Sequence, residues 1–75
     1  MKTSVTIGGK YQHFKGNYYQ VIAVATHTET HEKFVVYKSL NDNKTWVRPL
    51  DMFTSKVDRE KYPDVKQEYR FEEVE

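Results

Sequence analysis

The segment Trp46-Val47-Arg48-Pro49 sets an indole and a guanidinium two residues apart. In a strand such residues point to one side and the residue between them to the other. An indole beside a guanidinium stacks on a base or another ring, or accepts a proline-rich peptide. Two placements are open. If Val47 faces the core, Trp46 and Arg48 share the outer surface as a ligand face. Otherwise Trp46 is the main core residue and Arg48 pairs with the acidic C-terminal part.

A second group is His13 and Lys15, which flank Phe14 and precede Gly16. A buried Phe14 would leave both pointing outward at the mouth of a turn. Lys15 beside Gly16 could hold a phosphate, because glycine lets an anion approach backbone N–H groups. The plainer alternative is ordinary turn chemistry. A third group, His27-Thr-Glu-Thr-His31, invites a metal, but a zinc site needs a third and usually a fourth ligand. Glu29 and Glu32 are the near candidates, and solvated turn histidines are the simpler expectation.

No Ser-His-Asp or Cys-His arrangement stands out. Asp51 reads as a cap or surface acid, and Glu68, Glu72, Glu73 and Glu75 as a solvated acidic tail. Neither a catalytic residue nor a metal or other cofactor is expected.

The elements that must position these groups are short. In 75 residues with no cysteine, a core has no disulfide to lean on, so the eleven aromatics (one Trp, six Tyr, four Phe) are expected to pack first. Residues 1–9 read as a flexible leader and residues 10–75 as a single β-barrel-like domain. The stretch from Lys10 to Phe14 predicts a strand and Lys15-Gly16-Asn17 a turn. Tyr18 to Thr28 predicts a long strand. Its run Val21 to Ala25 is apolar on both faces, so the strand should bend and bury a different face in each half.

Residues 29–33 suit a hairpin connection, 34–40 a strand, Asn41 to Lys44 a turn, and Thr45 to Arg48 a short strand stopped by Pro49. Pro49 to Phe53 suits one helical turn. Residues 54–57 begin a further strand, 58–68 form a charged loop, and 69–74 a closing strand. In the hairpin opened by β-forming residues 11–21, Phe14 and Tyr19 are the expected core members. The fold class is therefore mainly β: a small SH3-like barrel or a strongly bent antiparallel sheet of about five strands, with one short helical turn.

Net charge is +1, unevenly placed: residues 10–50 hold six basic and three acidic residues, residues 51–75 five basic and eight acidic. This is far from the footprint of a dedicated duplex binder, and the two parts are expected to attract each other. The longest apolar run, Val21 to Ala25, is too short to span a membrane. With no apolar run behind a basic start, no secretory signal is read, and a cytoplasmic protein without membrane association is expected.

The pattern Tyr11, His13-Phe14-Lys15-Gly16, Tyr19, Val21, His27, Val35-Val36-Tyr37, Trp46-Val47-Arg48-Pro49 and Met52-Phe53 resembles a bacterial family of uncharacterised domains, the one numbered 1653, over roughly residues 10–57. A late Arg-Phe pair typical of that family looks like Arg70-Phe71. Where the family often has a glycine after its strand-end histidine, this chain has Thr30-His31. The resemblance implies a small, mostly β, bacterial, cytoplasmic domain, and supplies no mechanism.

Together these features lead to a non-enzymatic binding module with an aromatic and basic surface: Trp46 and Arg48, with Tyr37, His13 and Lys15 as neighbours. The first expected ligand is single-stranded nucleic acid. The second is a protein or peptide docked in an aromatic groove, in the manner of an SH3-like module. A metal protein or enzyme is third, and a monomer or weak dimer is expected.

Overall fold

A computed structural model describes residues 5–74. The strands are β1 (Lys10–His13), β2 (Tyr18–Thr26), β3 (Lys33–Ser39), β4 (Thr45–Pro49) and β5 (Phe71–Val74), with helix α1 (Leu50–Phe53) after β4. They form one antiparallel sheet in the order β4-β3-β2-β1-β5. Three hairpins make a meander, and the chain then crosses through α1 and residues 54–70 to add β5 beside β1.

Gly16 makes the first hairpin turn with φ 106°, a conformation that is costly for a residue with a Cβ. Asn43 turns the third at φ 61°. Asp42 accepts the backbone N–H of Lys44 there at 3.1 Å, and that bond lowers its pKa. His31 turns the second hairpin, also at φ 61°. The residue pair that departs from the family's glycine thus supplies a left-handed residue itself.

The apolar run in β2 is accommodated by an irregularity in register between Val21 and Ala23. Val21 pairs with Tyr37 and Val24 with Val35, so odd- and even-numbered residues reach one face on either side of Ile22. That face carries the core: Tyr11, Val21, Val35, Tyr37, Phe53 and Phe71. Phe53 of α1 stacks on Phe71 at 4.1 Å and meets Tyr11 and Tyr37 edge-on at 5.5 and 5.2 Å.

β4 and β5 are the two edges, so the sheet is open and the barrel alternative does not hold. It is nevertheless strongly bent. Outer strands of a flat five-stranded sheet would lie about 19 Å apart, yet the Arg48 guanidinium of β4 is 5.4 Å from the Phe71 ring of β5.

Several local expectations are corrected. Tyr11, not Phe14, is the buried ring of the first strand; Phe14 lies just beyond β1 in the turn, and Tyr19 packs half-buried on the core. Residues 54–57 contribute only an isolated bridge, Lys56 to Tyr69. Residues 5–9, read as leader, are tied to the sheet: Gly8 N–H donates to the Val21 carbonyl at 2.8 Å, and Val21 N–H to that of Gly9 at 3.0 Å. A Cβ on Gly9 would lie 2.9 Å from the Thr6 carbonyl oxygen, so this approach requires glycine. The leader expectation for residues 1–4 lies outside the described residues.

Candidate functional site

The register decides the Trp46 question in a way neither sequence alternative anticipated. Trp46 pairs with Tyr37, Arg48 with Val35 and Val47 with Val36. Trp46 and Arg48 therefore share the core-bearing face, and Val47 points away from it. β4 is an edge, so that face is incompletely covered there and Trp46 remains 49% exposed; Val47, on the opposite face, is 61% exposed. Tyr37, named as a neighbour of the ligand face, is a core residue at 4% exposure. Its hydroxyl accepts the Nε–H of Arg48 at 3.2 Å and so aims that side chain. Trp46, Tyr19, Tyr37 and Arg48 line a hollow of about 170 Å³.

Arg48 also lines a second cleft of about 270 Å³, with His13, Phe14, Lys15, Asp58, Lys61, Tyr62 and Arg70. Four cations face one carboxylate there. The cleft is built where three chain segments meet. Phe14 N–H donates to the Arg70 carbonyl at 3.0 Å, joining the first turn to the approach of β5. Gln67 Nε2 donates to the carbonyls of Gln12 and Tyr69, both at 2.9 Å. Arg59 donates to the Val65 and Gln67 carbonyls, holding the 58–70 loop closed.

The cations are held by neutral groups. Arg70 Nε–H donates to Ser55 Oγ at 3.2 Å. The Lys15 ammonium lies 5.6 Å and the Lys61 ammonium 5.7 Å from the Tyr62 ring centre, within cation–π range. Phe14 packs between the His13 ring, at 4.4 Å, and the Tyr62 ring, at 4.9 Å. Among the described residues the one ion pair is Lys56–Glu68 at 3.5 Å, so none of the four cleft cations has a carboxylate partner there. The pairing of Arg48 with the acidic C-terminal part is thus not seen; that part instead contributes Lys61 and Arg70. Asp58 Oδ1 is occupied as a turn cap, accepting the N–H of Glu60 at 3.0 Å.

His13 reports this environment. Burial first, then the charges of Arg48, Lys15 and Arg70, push its pKa down to about 4. Its Nδ1 accepts the Lys15 N–H at 3.1 Å, which leaves the proton of the neutral ring on Nε2. The folded pKa lies below the unfolded one, near 6.5. The stability this confers is therefore complete above about pH 6.5 and is lost as pH falls towards 4. For this partly exposed, solvent-screened ring the expected loss is roughly 1–2 kcal/mol. Urea unfolding at pH 7 and pH 4.5 should show a smaller acid loss in His13→Gln than in the parent; equal losses would place the effect elsewhere.

The remaining candidates lie apart. His27 Nδ1 accepts the N–H groups of Glu29 and Thr30 at 3.1 and 3.2 Å, capping its own turn. Among the described residues, no three His, Asp or Glu side chains gather as a metal ion would need. A larger hollow of about 530 Å³ is lined by Val5, Ile7, Ile22, Ala23, Val24, Lys33 and Leu50. It is mainly apolar and lacks the convergent polar groups that orient a ligand.

Of the sequence candidates, His13, Lys15 and Arg48 come together; Trp46 borders them across Arg48, and Tyr37 supports from below. Lys61, Tyr62 and Arg70 complete the cleft beyond those candidates. Arg70 was visible as part of the late Arg-Phe pair, whereas Lys61 and Tyr62 sit in a charged loop with no pattern of their own.

The fold and cleft define a small, open antiparallel β domain with a cation-lined hollow at one end. The chain matches the family described as "Protein of unknown function (DUF1653)" over residues 9–73, and it belongs to that family. The match extends past the resemblance noted above to include the 58–70 loop and most of β5. No curated protein and no solved structure matches the chain. Among the described residues, no helix is long and apolar enough to cross a membrane.

Proposed function

We propose that the domain is a non-enzymatic binding module of the cytoplasm that holds single-stranded nucleic acid at its basic cleft. One observation carries this reading: Lys15, Arg48, Lys61 and Arg70 converge without a carboxylate partner among the described residues, beside the rings of Phe14 and Tyr62. Cations neutralise phosphates and rings stack on bases, the combination that single-strand binders use. A binding role also suits His13, because an imidazole with a pKa of about 4 is a weak general base at neutral pH.

Fluorescence anisotropy with a labelled single-stranded oligonucleotide tests it. For two phosphate contacts the salt slope is about −1.4, so affinity should fall about sevenfold between about 50 and 200 mM salt. Salt-insensitive binding, or none, would remove the proposal. A second reading has its own support: β4 is an edge strand with Trp46 and Val47 exposed, and an extended peptide could add to it. That mode would be nearly indifferent to salt and would protect the amides of Thr45–Val47 from exchange.

A further inference from the structure

We propose that the cleft is a receptor for a terminal phosphate monoester, so that the module takes single strands by their phosphorylated ends. This rests on the nucleic-acid reading above and narrows it.

The cations encircle one hollow and do not form a track. Lys15 comes from the first turn, Arg48 from β4, Lys61 from the 58–70 loop and Arg70 from the approach to β5. Lys10 and Lys38 cannot extend the cleft into a groove, because their register with Gln20 places both on the opposite face of the sheet. An internal phosphate diester carries one negative charge and two free oxygens. A terminal monoester carries about −1.5 to −2 near neutral pH and three strong acceptor oxygens. Four cations against one carboxylate match the monoester better.

The donors are also set for it. Each guanidinium spends its Nε–H on a neutral hydroxyl, Arg48 on Tyr37 and Arg70 on Ser55. The orientations are fixed while the terminal N–H groups stay available, and these bind phosphate oxygens in pairs. His13 adds a neutral N–H at Nε2. The hollow, about 270 Å³, falls below the roughly 300–1,000 Å³ of sites that enclose a drug-sized ligand. It suits a terminal group with the chain leaving the cleft. Phe14 and Tyr62 on the rim are placed to meet the terminal base.

The test uses one labelled single strand in three forms: 5′-phosphorylated, 3′-phosphorylated, and with hydroxyls at both ends. A phosphorylated form should bind at least about tenfold more tightly than the hydroxyl form, which corresponds to about 1.4 kcal/mol. Inorganic phosphate should compete with it. Lys61→Gln should erase most of the preference; Lys61 is exposed, so its loss should not unfold the domain. Arg70→Gln should do the same, with its fold checked by circular dichroism. Equal binding of all three forms would overturn end recognition and leave the module reading standing. Binding of none would overturn both. Tighter binding of a tyrosine-phosphorylated peptide than of any strand would make the partner a protein and overturn the proposal.

Discussion

Phe53→Ala is expected to cost about 3–5 kcal/mol, the usual cost of removing a buried aromatic side chain. A domain of this size has roughly 4–11 kcal/mol in total, so the variant should lose a large share of its stability and unfold at markedly lower urea than the parent. Phe53 is 1% exposed, and it is the buried residue of α1 within the core cluster, with Leu50 packed against that cluster beside it. It stacks on Phe71 with an interplanar angle of 6° and touches Tyr11 and Tyr37. Its loss would open a cavity among three other rings, each still needing a neighbour. With no disulfide among the described residues, nothing covalent holds the sheet while that cavity forms. Urea unfolding followed by circular dichroism measures the change. A shift below about 1 kcal/mol would mean that the aromatic cluster is not what holds the domain together.

Arg48→Gln should weaken binding of a single-stranded oligonucleotide by about ten- to a hundredfold, the range for losing a charged hydrogen-bond donor. Arg48 is the side chain common to the basic cleft and the Trp46 hollow. Glutamine can still donate towards the Tyr37 hydroxyl but lacks the charge. A second readout separates loss of charge from loss of fold. Because the Arg48 charge helps hold the His13 pKa down, that pKa should rise towards its ordinary value in the variant, as followed by NMR. Trp46→Ala is the contrast: its indole is half exposed, and its removal should leave His13 as it was. An unchanged affinity in Arg48→Gln would take the binding role from the cleft.

Much of the fold is legible in local chemistry. Gly16-Asn17 and Asn41 to Lys44 mark real turns, and Pro49 ends β4 and opens α1. The doubly apolar run in β2 does signal a bend, here made by the irregular register at Ile22. What was illegible depends on partners distant in sequence. Which side of β4 faces the core follows from its register on β3, so Trp46 could not be assigned from β4 alone. Tyr11 displaces Phe14 from the core because Phe53, far along the chain, arrives over Tyr11 and not over the turn. The charge blocks misled for a related reason. Averaging residues 51–75 as acidic concealed that Lys61 and Arg70 turn towards Lys15 and Arg48, whereas Glu68 pairs with its neighbour in the sheet bridge region, Lys56. The site is assembled by the 58–70 loop, whose path is held by Gln67 and Arg59 hydrogen bonds that no short motif announces.

The most direct test of the cleft as the binding site is an amide-shift titration with a single-stranded, 5′-phosphorylated oligonucleotide. Shifts should gather on His13, Phe14, Lys15, Lys61, Tyr62 and Arg70, with the Arg48 Nε–H moving alongside them. Shifts confined to Thr45–Val47 or to the apolar hollow at Ile22 and Leu50, or no shifts at all, would contradict it.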